Sequence, residues 1–192
     1  MILSSHNSWS YLPARKWWMK LIAFTAKCQR KSIAQQYNDY GVRCFDLRVR
    51  FDNKGKLIVA HGLIEYKIDK QELLNQLNTL DSYGDTYVRI LHEVRSKKQL
   101  TEKNKLLFQD FCREIASSYL HINFWCGRNL ATWEYDYRFG NEPTCIEMYA
   151  SVCRPKLIDD WWPWLYAILH NRSIRKIDKG AEILMIDYVD IK

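Results

Sequence analysis

His6 and Asn7 in "SSHNSW", Asp46 and Arg48 in "FDLR", and His61 with Gly62 in "AHG" are the residues best equipped for chemistry. Each lies in or at the end of a short run of β-forming residues. Residues i and i+2 of a strand face the same way, so Asp46 and Arg48 share one face. If both histidines reach that face, two imidazoles, a guanidinium and a carboxylate meet in one cavity. That set suits cleavage of a phosphodiester. One histidine takes the proton of an attacking hydroxyl and the other protonates the departing alkoxide, a contribution of ~10²–10⁴ in rate. The arginine offers a planar, permanently charged fork to the phosphoryl oxygens. Singly, each residue has a plainer role as a satisfied strand-end histidine or a same-face ion pair. The combination, in this order and at strand ends, favours the chemical reading.

Strands and helices must bring these groups together. "MILSS" is a short apolar strand running into His6. "SIAQQYNDYG" reads as a helix capped by Ser32 and stopped by Gly41. "VRCFDLRVRF" alternates with period two, "DNKG" is a turn, and "KLIVAHG" is the next strand. That turn is too short to hold a helix, so these two strands are antiparallel or joined by a bulge. Helical spacing follows over 69–80, 101–120 and 158–171, and strands are expected over 87–95, 121–125, 145–152 and 181–190. Strands and helices mostly alternate, which predicts an α/β architecture with a largely parallel sheet. Sites in such folds collect at the carboxyl ends of the strands, where His6, Asp46, Arg48 and His61 fall.

Composition sets the bounds. The chain has 192 residues, no repeat and no low-complexity stretch, and reads as one domain over 1–192. A net charge of +7 favours anionic partners. Eight Trp, twelve Tyr and seven Phe fit a packed core or a surface that meets sugars, lipid headgroups or bases. The six cysteines form no CxxC pair, which excludes zinc-finger spacing. No apolar run reaches the ~18 residues of a membrane span, and the start lacks the basic flank of a signal peptide. A cytoplasmic setting with reduced thiols is expected.

"SSHNSW", "QQYNDYGVRCFDLRVRF" and "KLIVAHG" together resemble the first half of the phosphatidylinositol-specific phospholipase C catalytic domain, the X-domain superfamily. The spacings of roughly 40 and 15 residues also fit, and "ILMIDYVD" resembles that family's last barrel strand. The resemblance implies a small, irregular TIM-type (β/α) barrel. It implies attack on phosphorus by a hydroxyl of the substrate itself, giving a cyclic phosphodiester. Carried over by motif, His6 is the base and His61 the acid. Arg48 stabilises the phosphoryl charge, Asp46 orients the cluster, and Asp187 holds the His6 tautomer. Calcium-using relatives carry Glu-x-Asp where this chain has Asp46-x-Arg48. A fixed cation at the ion's place implies the metal-independent bacterial type, with no cofactor. Asn7 departs from the pattern, since metal-free relatives have Asp there. Asn7 is expected to steady His61, with Glu65 as a substitute carboxylate. Asn7, Glu93 and Arg95 are the candidates for substrate binding. His92, His121 and His170 carry no expected chemistry. Trp17 and Trp18 either meet a membrane interface or pack the barrel rim, while "WWPW" over 161–164 is expected to pack in the core. The expected substrate is then a phosphodiester, free or presented at a membrane surface, with nucleic acid not expected as a partner. Two alternatives stay open: a non-lipid diester such as a glycerophosphodiester or nucleic acid, and a non-catalytic barrel that binds anions or membranes.

Overall fold

The computed structural model describes residues 1–94, 100–127, 139–150, 158–177 and 180–191. Parallel strands β1 (Ile2–Ser5), β2 (Cys44–Phe51), β5 (Thr86–His92), β6 (Ile122–Cys126), β7 (Cys145–Met148) and β8 (Ile183–Ile186) curl into an open barrel. Their spatial order is β7-β8-β1-β2-β5-β6. Among the described residues no ladder joins β6 to β7, so the barrel is open there. β3 (Leu57–His61) runs antiparallel on the upper half of β2, with Val49 opposite Val59, and carries the short β4 (Ile64–Glu65). The tight joint before β3 is therefore a hairpin. Asp52 Oδ1 accepts the N–H groups of Lys54 and Lys56, each at 2.9 Å, and Gly55 supplies the positive φ of +82°.

Helices α2 (Ile33–Tyr40), α3 (Lys70–Tyr83), α4 (Glu102–Ser118) and α5 (Pro163–Ile174) connect and cover the strands, and α1 (Met19–Ile22) is a single turn. Their ends are set by local chemistry. Ser32 and Gln35 form a reciprocal capping box on α2, and Gly41 ends it in the left-handed region at φ +69°. Asp69 and Thr101 cap α3 and α4. Leu73, Leu77 and Leu80 of α3 and Phe108, Phe111, Cys112 and Ile115 of α4 make the buried stripes. Burying each large apolar side chain is worth roughly 1.5–3 kcal/mol. No helix of the described residues is long and apolar enough to cross a membrane.

Period-two alternation divides the strand residues between two environments. Leu3, Phe45, Val88, Phe124, Ile146 and Leu184 join the main core shared with the helices. Their neighbours Ile2, Cys44, Tyr87, Trp125, Cys145 and Ile183 form a separate apolar cluster that floors the barrel. Two residues further along β2, β5, β7 and β8 the same face carries Asp46, Arg89, Glu147 and Met185, joined through Arg89. Two further still, it carries Arg48, and the chain beyond β1 and β8 adds His6 and Asp187. Polarity thus rises layer by layer towards the carboxyl ends of the strands.

Candidate active site

β1 and β8 pair in register, with Ser5 opposite Ile186. The next residue of each strand comes level, and His6 Nδ1 lies 2.7 Å from Asp187 Oδ1. Both are sealed from solvent, His6 at 2% and Asp187 at 0% exposure. The chain then turns sharply at both places, with φ +44° at Asn7 and +42° at Tyr188. Asn tolerates this region, but Tyr is strained in it, and such strain of ~1–3 kcal/mol persists only where the surroundings hold it. Tyr188 N–H donates to the Cys28 carbonyl at 2.6 Å. Asn171 of α5 donates through Nδ2 to the carbonyls of Asp187 and Tyr188 at 2.9 and 3.1 Å. Asn7 N–H donates to Asp46 Oδ2 at 2.9 Å.

Asp46 is held between two guanidinium groups: Arg48 Nε on Oδ2 at 2.8 Å and Arg89 Nε on Oδ1 at 2.9 Å. Burial alone would push the Asp46 carboxyl up; Arg48 and then Arg89 overcome it and hold the group well below the usual carboxylate range. Burial also works against the Arg48 charge, and Asp46 with Glu93 outweighs it. Arg48 Nη1 lies 3.6 Å from Glu93, whose Oε1 accepts the Gly62 N–H at 2.8 Å. Glu93 thereby ties the end of β5 to the turn after His61.

The His61 ring stands 5.3 Å from the His6 ring, edge to face. Its Nδ1 lies 3.2 Å from the Ala26 carbonyl and 3.9 Å from Cys28 Sγ. Burial first and Arg48 second pull both imidazoles down from their ordinary values. Burial pushes Asp187 up to about 8. Each member of the His6–Asp187 pair is thus shifted away from its charged form. In the tautomer whose Nδ1–H donates to the Asp187 carboxylate, His6 Nε2 is a buried acceptor with no hydrogen-bond partner among the described residues.

His6, Asp46, Arg48, His61, Glu93 and Asp187 therefore gather into one buried cluster. Asn7 needs a correction. Its side chain does not reach His61; Nδ2 donates to the Ala26 carbonyl at 3.1 Å and to Tyr66 Oη at 3.0 Å. The left-handed turn aims it there, and it bears on His61 only through the Ala26 carbonyl that both share. Glu65 does not substitute, because Arg50 Nη2 claims its Oε1 at 3.0 Å. Arg95 lies outside the described residues.

Four residues of the site were not expected. Arg89 precedes Glu93 by two strand periods on the same face, and extending that face backwards would have found it. The same rule leads from Cys145 to Glu147, which pairs with Arg89. Tyr149 stacks on His6, rings 3.7 Å apart and tilted by 9°. Cys28 is fully buried beside His61 and Asp187, and burial followed by the Asp187 charge pushes its thiol up. No sequence pattern marks Cys28, which arrives on an irregular segment.

The second aromatic stretch also corrects its expectation. Trp161, Trp162 and Trp164 are about half exposed, at 50%, 49% and 50%. α5 begins only at Pro163, and its buried face is Pro163, Ala167, Asn171 and Ile174. Trp162 meets Phe24, ring centroids 6.3 Å apart, so this stretch adjoins exposed Trp17, Leu21 and Phe24. Away from this cluster, His92 stacks on Phe108 of α4, His121 sits beside Asp81, and His170 pairs with Asp159.

No protein-family model and no curated protein matches this sequence. Solved structures do match. The phosphatidylinositol-specific phospholipase C from Listeria monocytogenes aligns over 97% of this chain and 87% of its own, with a TM-score of 0.65 and 16% identity. The phosphatidylinositol-specific phospholipase C of Staphylococcus aureus, in a structure concerned with its membrane binding, aligns over 97% and 85%, with a TM-score of 0.62 and 14% identity. A variant of the same staphylococcal enzyme gives 97% and 84%, 0.63 and 15%. At this identity the likeness is one of fold: the chain has the irregular barrel of these bacterial enzymes.

Proposed function

We propose that this chain is a phosphodiesterase of the phospholipase C type, cleaving its substrate by attack of a neighbouring substrate hydroxyl. The observation that carries the reading is the His6–Asp187 pair, at 2.7 Å, facing a second imidazole 5.3 Å away beside Arg48. His6 Nε2 takes the proton of the hydroxyl as its oxygen bonds to phosphorus. His61 gives a proton to the leaving alkoxide as the old P–O bond breaks. The products are a cyclic phosphodiester and an alcohol, and no water is consumed. Arg48 has five N–H donors, and Asp46 and Glu93 engage only part of the fork. The rest is available to the charge that builds on the phosphoryl oxygens. Asp187 is a positioning residue that fixes the tautomer and offsets the imidazolium as it forms.

The reaction is metal-independent in this reading. Both oxygens of Asp46 are taken by guanidinium groups, which leaves the place of a hard cation already filled by positive charge. A phospholipid substrate is supported by the aromatic surface of Trp17, Leu21, Phe24, Trp161 and Trp162, next to the segment that reaches His61 through Ala26. The test is release of a cyclic phosphodiester from phosphatidylinositol with EDTA present, beside a panel of soluble diesters. His6→Ala and His61→Ala are each expected to lower kcat by ~10²–10⁴. Unchanged turnover in both variants, or no wild-type turnover on any diester, would sink the proposal.

A further inference from the structure

Cys28 has no part in the chemistry above, yet its sulfur lies at the centre of the machinery. Donor atoms of His6, Cys28 and Asp187 all fall within 4.8 Å of one another, and all three residues are buried. His61 Nδ1 lies 3.9 Å from Cys28 Sγ and becomes a fourth donor once its ring proton moves to Nε2 and its contact with the Ala26 carbonyl is given up. Zinc takes nitrogen at ~2.0–2.1 Å and sulfur at ~2.3 Å, which sets tetrahedral donors roughly 3.5 Å apart. The Cys28–His61 pair is already near that spacing, and the widest gap among the His6, Cys28 and Asp187 donors must close by about 1 Å.

The kind of ion follows from the donors. A thiolate, two imidazoles and one carboxylate are a soft-to-borderline set that suits zinc or cadmium. Calcium and magnesium need several oxygen ligands, and this cluster offers one carboxylate. The charges also close: the thiolate and Asp187 carboxylate balance a divalent ion, with both imidazoles neutral. The thiol proton leaves as the ion enters, and each imidazole keeps one N–H, on the ring nitrogen that does not bind the ion. His61 is only partly buried, so the cluster meets solvent at this residue.

We infer that His6, Cys28, His61 and Asp187 form an inhibitory site for a thiophilic divalent cation, zinc or cadmium by class. Binding occupies the base, its positioning carboxylate and the acid together, so the ion switches the site off. The binding stands on the geometry of the cluster. Only the loss of turnover rests on the proposed phosphodiesterase function, so the two are measured separately.

Binding is read without substrate, by titrating metal-free protein with cadmium and following the ultraviolet thiolate-to-cadmium charge-transfer band, and with zinc by competition against a chromophoric chelator. One equivalent is expected to bind. Cys28→Ser is expected to abolish the band and weaken zinc by about 100-fold or more, beyond what loss of an outer-shell partner costs. Cys145→Ser, at the opposite end of the barrel, is expected to keep both. Where diester turnover is present, stoichiometric zinc is expected to inhibit the wild type and spare Cys28→Ser, with magnesium and calcium inert. Absence of a thiolate band in the wild type overturns the inference whether or not the variants fold. Equal zinc affinity in folded Cys28→Ser overturns it as well.

Discussion

Asp187 is the residue on which the candidate site turns. It takes the His6 N–H on one oxygen and the Ala150 N–H on the other, the latter at 2.9 Å, while Asn171 pins its carbonyl. Its backbone is therefore held independently of its charge, which makes Asp187→Asn informative. The amide can present its own N–H to Nδ1, selecting the wrong tautomer and leaving Nε2 protonated and unable to act as a base. The expected outcome is a fall in kcat of about 10²–10⁴-fold, with KM and the thermal midpoint little changed. A steady-state split of kcat from KM, beside a melting curve, checks it; a raised KM with kcat intact would mean that Asp187 shapes binding instead. Much of this was legible. His6, Asp46, Arg48 and His61 sit at strand positions, where a period of two fixes which way each side chain faces. Cys28 and the Asn7 side chain were not, because irregular backbone carries no period. The left-handed turn at Asn7 is a property of the folded strand end and leaves no mark in the letters "HN".

At the scale of elements, the contrast between β5 and α5 shows when a pattern can be trusted. β5 alternates cleanly, sending Val88 and Ile90 to the helices and Arg89 and Leu91 the other way. In α5 aromatic density does not follow helical phase. Its buried positions fall at intervals of four, four and three from Pro163, and they hold Pro, Ala, Asn and Ile, so the tryptophans precede the helix or face outwards. His92 ends β5 and lies against Phe108 of α4, 2% exposed. Burial lowers its pKa to about 4, against the small opposing effect of Glu93. Its ordinary value is about 6.5, so the folded state prefers the neutral ring. The stability this gives is fully present above pH 6.5 and is lost as pH falls from 6.5 towards 4, up to about 3 kcal/mol. His92→Phe keeps the stacking and removes the proton. The variant is expected to show a flatter fall in stability between pH 6.5 and 4 in urea titrations. Identical slopes for wild type and variant would show that the β5–α4 junction does not carry this acid sensitivity.

The whole molecule has one polar end and an apolar, greasy shoulder beside it. Layers of side chains run from the apolar floor around Cys44 and Trp125, through Arg89, to the histidines at the top. Next to that top, α1 with its flanking residues and the stretch before α5 expose Trp17, Leu21, Phe24 and Trp162, a surface that a freely dissolved protein gains nothing from showing to water. Arg15 and Lys16 flank it, with side chains 41% and 50% exposed, in a chain whose net charge is +7. Exposed aromatics ringed by cations fit the interface of an anionic membrane, where each basic residue adds about 1 kcal/mol and the rings add burial of apolar area. Each tryptophan so placed is worth on the order of 1 kcal/mol, so the Trp17→Ala/Trp162→Ala pair is expected to weaken partitioning to anionic vesicles by roughly 30-fold. The same pair should change turnover of a soluble diester little, because both rings are exposed and lie outside the buried cluster of His6, Arg48 and His61. Raising salt should weaken wild-type binding to anionic vesicles and leave the aromatic contribution in place. Vesicle sedimentation at two salt concentrations separates these terms. Undiminished binding by the double variant would assign membrane contact to the basic surface alone, and the exposed tryptophans would then need another explanation.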